Sequence, residues 1–318
     1  MTIADDAFQA ARAHEQAGNI NAARAGYAQA AQAGDLRALT ALAKNLLTRE
    51  PLDIGNGIGM IRTAADRGDR EASGLCAVLA GQDEQLPDRW RIAREYLARS
   101  GDARLGALMD GVDLAAWTKA PAARVPFESP RVVCVDGFAS HAMCDWLIER
   151  ARPRMAAATV YDPATGTGQR RDDIRSNSAV AFDITQFDLA MVAVRARIAA
   201  LANVHSEAFE PPMVLHYTAG QQFAPHFDYI EPATPGLASD VARNGQRVGT
   251  FLLYLSDGFA GGETDFPELG WKFKGGKGDA LLFWSADASG ALDRRTLHAG
   301  APVNSGEKWV LSQWIRRR

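Results

Sequence analysis

A short motif recurs three times in the first 110 residues, and few folds accommodate such a recurrence. Ala30, Ala31, Gly34, Asp35 and Ala38 are echoed by Ala64, Ala65, Gly68, Asp69 and Ala72, and more weakly by Ala98, Gly101 and Asp102. The glycines lie 34 and 33 residues apart, a period that marks stacked pairs of helices. Each copy has a local cause. Glycine ends one helix in the left-handed conformation, aspartate caps the next, and alanine lets neighbouring helices approach closely. A plain helical bundle is the competing reading. A stack of helix pairs would offer a concave face to a peptide or a partner protein.

The pattern changes beyond residue 117. Residues 118–131 contain three prolines and read as a linker between an α-helical repeat domain (1–117) and a second domain (132–318). With 318 residues, two domains are expected. In the second, helical periodicity covers 140–150 and 189–202. Short β-rich runs follow at 213–217, 248–255, 280–284 and 308–315, separated by glycine turns. Many short strands around a concave site suggest a jelly-roll barrel, with the two helices buttressing one sheet. The fold class expected is therefore multidomain α and β.

His226 and Asp228 stand at i and i+2, so on a strand their side chains share a face and can reach one cation. His298, 70 residues after Asp228, could supply a third ligand from a neighbouring strand. Two imidazoles and one carboxylate with open positions describe the facial triad of non-heme Fe(II) oxygenases. Lys308 follows His298 by ten residues, across an expected turn at Asn304, Ser305 and Gly306. Two adjacent antiparallel strands would then carry His298 and Lys308 and set the ammonium deeper in the pocket. A compact cation there suits the remote carboxylate of a small dicarboxylic keto acid. Ser312 shares the Lys308 face of its strand and is a second candidate for that carboxylate.

These residues carry a family resemblance. From Tyr217 to Trp314 the chain resembles the prolyl 4-hydroxylase branch of the iron- and 2-oxoglutarate-dependent dioxygenases. The matching pieces are Tyr217 to Gly220, His226-Phe227-Asp228, Gln246 to Val248, Thr250 to Leu255, Gly261 to Thr264, Phe266-Pro267, Gly278 to Ala280, His298 to Val303 and Gly306 to Trp309. Upstream, Arg175 to Ser178 resembles the Arg-Thr-Ser element of the same enzymes, and Glu210 precedes the Tyr217 strand as theirs does. The resemblance covers roughly residues 125–318; the first part of the chain resembles tetratricopeptide-like (Sel-type) repeats instead. It implies a double-stranded β-helix in which His226, Asp228 and His298 hold Fe(II). It further implies that 2-oxoglutarate chelates the metal, with Lys308 and Tyr217 binding its far carboxylate. Dioxygen is the oxidant, succinate and carbon dioxide are co-products, and ascorbate is an accessory reductant. The reaction implied is hydroxylation of an unactivated C–H bond, with a prolyl residue of a peptide or protein as the substrate suggested. The carboxylate of Asp228 favours hydroxylation over halogenation.

Further residues divide between chemistry and packing. Arg247 precedes a strand and is a candidate for the pocket mouth; Arg175 lies in a stretch resembling a mobile substrate loop; Trp284 ends a strand as core or as substrate platform. Residues 229–247 leave directly from Asp228 and read as a lid. His14, His141 and His205 read as structural, and His216 as pointing away from any site containing Tyr217. The glycines at 261–262 and 275–276 lack the ending that cradles phosphates.

A net charge of −3 gives no reason to expect a nucleic-acid partner. No apolar run is long enough for a membrane helix, the start of the chain does not resemble a signal peptide, and three scattered cysteines fit a reducing compartment. A cytoplasmic protein is expected, with its oligomeric state open. Two alternatives stay open beside the peptidyl hydroxylase. One is a helical-repeat adaptor whose barrel binds with little turnover; the other is a dioxygenase acting on a small molecule or free amino acid.

Overall fold

The computed structural model describes residues 3–162, 167–169 and 173–317. The chain divides into two compact units, Met1–Thr118 with Asp183–Ala196, and Lys119–Phe182 with Arg197–Arg318. Among the described residues no helix is long and apolar enough to cross a membrane.

The first unit is helical: α1 (Ile3–Gln16), α2 (Ile20–Gln32), α3 (Leu36–Thr48), α4 (Ile54–Asp66), α5 (Arg70–Gln82), α6 (Arg89–Ser100), α7 (Ala103–Asp110) and the single turn α8 (Leu114–Trp117). Gly34, Gly68 and Gly101 adopt φ of 97°, 94° and 66°, a region closed to most side chains. Asp35, Asp69 and Asp102 then cap α3, α5 and α7 by accepting backbone N–H groups of the first turn, each cap being worth about 1 kcal/mol. The recurrent motif is thus one helix–turn–helix device used three times. The small residues act as anticipated. Ala11, Ala23, Ala30 and Ala38 are fully buried, and a Cβ on Gly26 would lie 2.9 Å from that of Ala11. Residues 183–196 belong to this unit although far away in sequence; a Cβ on Gly81 would meet Val192 at 3.0 Å and Leu189 at 3.3 Å.

The second unit contains, in order, β1 (Arg124–Glu128), β2 (Arg131–Val135), α9 (His141–Ala151), β3 (Ala156–Ala157), β4 (Val160–Asp162), β5 (Thr167–Gln169), β6 (Ser178–Ala181) and the end of α10 (Leu189–Ala202). It continues through β7 (Met213–Tyr217), β8 (Phe223–His226), α11 (Pro235–Asn244), β9 (Gln246–Tyr254), β10 (Phe259–Gly261), β11 (Thr264–Phe266) and β12 (Trp271–Phe273). The last strands are β13 (Ala280–Trp284), β14 (His298–Gly300), β15 (Val303–Gly306) and β16 (Lys308–Arg317). An eight-stranded sheet in the order β1-β2-β13-β9-β16-β7-β6-β3 faces a four-stranded one, β12-β11-β14-β8. Apolar side chains of both, among them Leu252, Leu281, Phe283, Phe266 and Phe273, form the core between them. This is the double-stranded β-helix. On the reverse face of the larger sheet Phe138 packs against Phe251 at 4.8 Å, and Cys144 of α9 lies 3.9 Å from the Tyr254 carbonyl oxygen.

Two expectations need correction. Residues 118–131 are more than a linker, because 124–131 holds β1 and the turn of its hairpin with β2. Pro126 does not forbid a strand there, since β1 is an edge strand, where a missing N–H costs no ladder bond. The strands carrying His298 and Lys308 are not neighbours. β14 pairs with β11 and β8, β16 with β7 and β9, and between them the chain crosses from the smaller sheet to the larger by way of β15.

Candidate metal and cosubstrate site

Pairing of β14 with β8 sets His298 directly opposite His226. Asp228 follows two residues beyond, on the same face. One ligand atom from each of the three lies within 4.8 Å of the others. The contacts are His226 Nε2 to Asp228 Oδ1 at 3.6 Å and His298 Nε2 to Asp228 Oδ2 at 3.4 Å. Each imidazole is oriented from behind by the backbone carbonyl two residues before it. His226 Nδ1 is 2.8 Å from the Ala224 carbonyl oxygen and His298 Nδ1 is 3.0 Å from that of Thr296. A carbonyl can only accept, so both protons sit on Nδ1 and both Nε2 lone pairs face the carboxylate. Metal-binding histidines are commonly fixed in this way.

The electrostatics give the same donor set. Burial, with the neighbouring His298, lowers the pKa of His226 and favours neutral imidazole. Burial acts to raise the Asp228 carboxyl, but the imidazoles outweigh it and hold the group well below its ordinary value. Thr250 Oγ1 donates to Asp228 Oδ2 at 2.7 Å. Phe223 stacks on the His226 ring at 3.6 Å, and Phe283 meets His298 edge-on at 4.7 Å. Neutral imidazole nitrogens and a carboxylate oxygen, walled by aromatics, fit a divalent transition metal with coordination positions left over.

The three residues open on a narrow cleft with a volume of about 50 Å³. Tyr217, Leu215 and Met213 of β7, and Lys308, Val310, Ser312 and Trp314 of β16, line it at every second position, as strand alternation requires. Lys308 is 3 % exposed. Burial drives its pKa down to about 8 against the weaker pull of Glu263. Among the described residues no carboxylate lies within ion-pair distance of it; its ammonium sits 5.1 Å from the Tyr217 ring and 5.3 Å from that of Tyr254. Desolvating a cation without a counter-ion is costly, and an anion in the cleft would offset that cost. Tyr217 is also buried, its hydroxyl pushed up to about 12 by burial and therefore a hydrogen-bond donor at neutral pH.

The remaining expected residues separate. Arg175 lines the cleft, 7 % exposed, with Nε bonded to Asn177 Oδ1 and the guanidinium 4.7 Å over Phe223. Arg247 does not line it: its guanidinium lies 3.7 Å from the Trp314 ring centroid and pairs with Glu210, whose carboxylate also holds Arg316. Trp284 lies outside the cleft and lines a separate cavity with Val248 and Ile315. The 229–247 segment contains α11, tied at its base by Gln246, whose amide bonds both the N–H and the carbonyl of Ile230. Thr250, Thr264 and Trp314 were not anticipated as site residues, although the β16 alternation from Lys308 reaches Trp314.

The profile of the 2OG-Fe(II) oxygenase superfamily matches residues 212–316. Prolyl 4-hydroxylase 1 of Arabidopsis thaliana is 37 % identical over 204 residues, covering 60 % of this chain and 70 % of that protein. Probable prolyl 4-hydroxylase 3 of the same plant is 32 % identical over 263 residues, covering 77 % and 85 %. The solved structure of a viral collagen prolyl hydroxylase from Paramecium Bursaria Chlorella virus-1, as its 2OG complex, aligns with a TM-score of 0.45 and 30 % identity over 59 % of this chain and 96 % of that one. This chain belongs to the prolyl 4-hydroxylase-like 2OG-Fe(II) oxygenases and is a dioxygenase that depends on Fe(II) and 2-oxoglutarate.

Proposed function

We propose that the protein hydroxylates a prolyl residue of a peptide or protein, with Fe(II) held by His226, Asp228 and His298. The observation that carries this reading is one cleft with two halves: a three-donor metal cage and, beside it, a buried lysine lacking any carboxylate partner among the described residues. Relatives described as prolyl 4-hydroxylases support the prolyl substrate.

Lys308 receives the far carboxylate of 2-oxoglutarate as an ion pair, and Tyr217 and Ser312 donate hydrogen bonds beside it. Bound iron supplies dioxygen activation coupled to oxidative decarboxylation of 2-oxoglutarate to succinate and carbon dioxide, the net result being insertion of one oxygen atom into a substrate C–H bond. The chain's own contribution is geometric. Backbone carbonyls aim the imidazoles, Thr250 fixes one oxygen of Asp228, and the aromatic walls exclude water. Arg175, at the edge of the cleft, would offer N–H donors to the carbonyls of a substrate chain. The helical repeats would hold a further part of a protein substrate. Cys76, Cys134 and Cys144 are free and buried, which favours a reducing, cytoplasmic setting.

The test is turnover of 2-oxoglutarate with Fe(II), dioxygen and ascorbate, read as succinate, with and without a proline-rich peptide. Succinate should rise with the peptide, and the peptide should gain the mass of one oxygen. His298→Ala and Lys308→Ala should abolish both signals. Peptide-independent turnover without any mass gain would reject the prolyl substrate. Absence of Fe(II) binding would reject the site.

A further inference from the structure

The Lys308 ammonium is delivered from an unusual position, the very end of a strand. On one side β7 pairs with β16 as far as Lys308, which lies opposite Tyr217. On the other side the ladder with β9 stops two residues short, at Val310 opposite Tyr254. Beyond that point a side chain replaces the backbone. The Ser256 hydroxyl donates to the carbonyl of Glu307 at 3.0 Å and accepts the N–H of Trp309 at 2.9 Å. One hydroxyl thus holds the residues on both sides of Lys308. The adjacent Leu255 N–H donates to the Trp309 carbonyl at 2.8 Å.

The reverse face of this strand end is braced as well. His216 stacks on Trp309 at 3.9 Å, and Glu307 Oε2 lies 3.1 Å from both His216 Nε2 and Trp309 Nε1. These groups cannot enter the cleft, because strand alternation points them away from Lys308 and Tyr217. They can only fix the backbone from which those two project. A lysine side chain has four rotatable bonds, so its tip is placed well only if its root is fixed, and a misplacement of 1 Å at a site can cost up to about 100-fold.

We propose that Ser256 is a positioning residue for the cosubstrate, holding the Lys308 backbone so that the ammonium meets the far carboxylate of 2-oxoglutarate. The inference rests on the reading of Lys308 given above. It makes a specific demand: loss of the hydroxyl must weaken ligands that carry a far carboxylate and spare those that lack one.

The test uses the full chain loaded with Mn(II), without oxygen, and calorimetric binding of 2-oxoglutarate and of 2-oxopentanoate, which has a methyl in place of the far carboxylate. Ser256→Ala, which removes both hydrogen bonds of that hydroxyl, should weaken 2-oxoglutarate by about tenfold and leave 2-oxopentanoate within about twofold. Ser256→Thr, which keeps the hydroxyl, should restore wild-type binding. Equal weakening of both ligands, or unchanged 2-oxoglutarate binding, would overturn the role of Ser256 while leaving that of Lys308 intact. Wild-type 2-oxoglutarate binding by Lys308→Met alone would instead overturn the reading of Lys308 on which the proposal depends.

Discussion

Lys308→Met should stabilise the ligand-free protein while destroying its ability to bind 2-oxoglutarate. The wild-type ammonium is 3 % exposed and has no carboxylate partner among the described residues, and its pKa falls from 10.5 to about 8. At about 1.4 kcal/mol per pH unit, holding the proton in the folded state costs about 3 kcal/mol. The sign follows from proton binding in the two states. Below pH 8 both carry the proton, and the full cost weighs on the native state. Between pH 8 and 10.5 the unfolded chain retains a proton that the native one has lost, so wild-type stability gains on rising pH. Methionine fills a similar volume without a charge, so the variant should be more stable by up to about 3 kcal/mol at pH 7, with the difference shrinking toward pH 10. Urea unfolding of the metal-free wild type and variant at pH 7, 8.5 and 10 reads this directly. With Mn(II) present throughout, adding 2-oxoglutarate should raise the wild-type midpoint and leave that of the variant unchanged. A variant less stable than wild type at pH 7, or a difference independent of pH, would refute the argument.

Thr250→Val keeps the shape of the side chain but removes the hydrogen bond to Asp228 Oδ2; metal affinity should fall about 10- to 100-fold, read by competition with a chelating dye. Asp69→Ala removes the cap on the Ala72 N–H and the acceptor for the Thr40 hydroxyl at once. Thermal unfolding should register a loss of about 1–2 kcal/mol. Gly26→Val drives a branched side chain into Ala11 and should cost about 1–3 kcal/mol by the same measurement.

The legible parts of the chain were those whose chemistry is local. His226 and Asp228 share a face because strands alternate, and no tertiary knowledge is needed to see it. The Gly34–Asp35 pair and its two echoes specify their turns through backbone geometry and capping alone. What escaped required knowledge of which strands meet. Ten residues separate His298 from Lys308, a spacing that reads as a hairpin, yet β15 diverts to pair with β10 and the two residues line one cleft from different sheets. Trp284, readable from sequence as core or as substrate platform, is placed by its neighbour: Phe283 faces His298, so Trp284 faces away. Thr250 could be placed only once β9 was known to run past Asp228. Pro126 and its neighbours suggested a linker because proline reports a missing hydrogen bond, and an edge strand lacks that bond by position. No local pattern could announce that residues 183–196 join helices more than a hundred residues earlier.

The two imidazoles are tethered to backbone carbonyls two residues upstream, at Ala224 and Thr296, and this makes the metal a removable part. A zinc finger collapses without its ion because nothing else arranges the ligands. Here each ring is held in its tautomer by the backbone beside it, and the sheets that carry the rings are closed by an apolar core running from Leu252, Leu281 and Phe283 to Phe266 and Phe273. Stripping the iron should therefore silence the enzyme without unfolding it, and returning the iron should restart it. A chain built this way can be made, stored and carried empty, with its activity following the supply of metal.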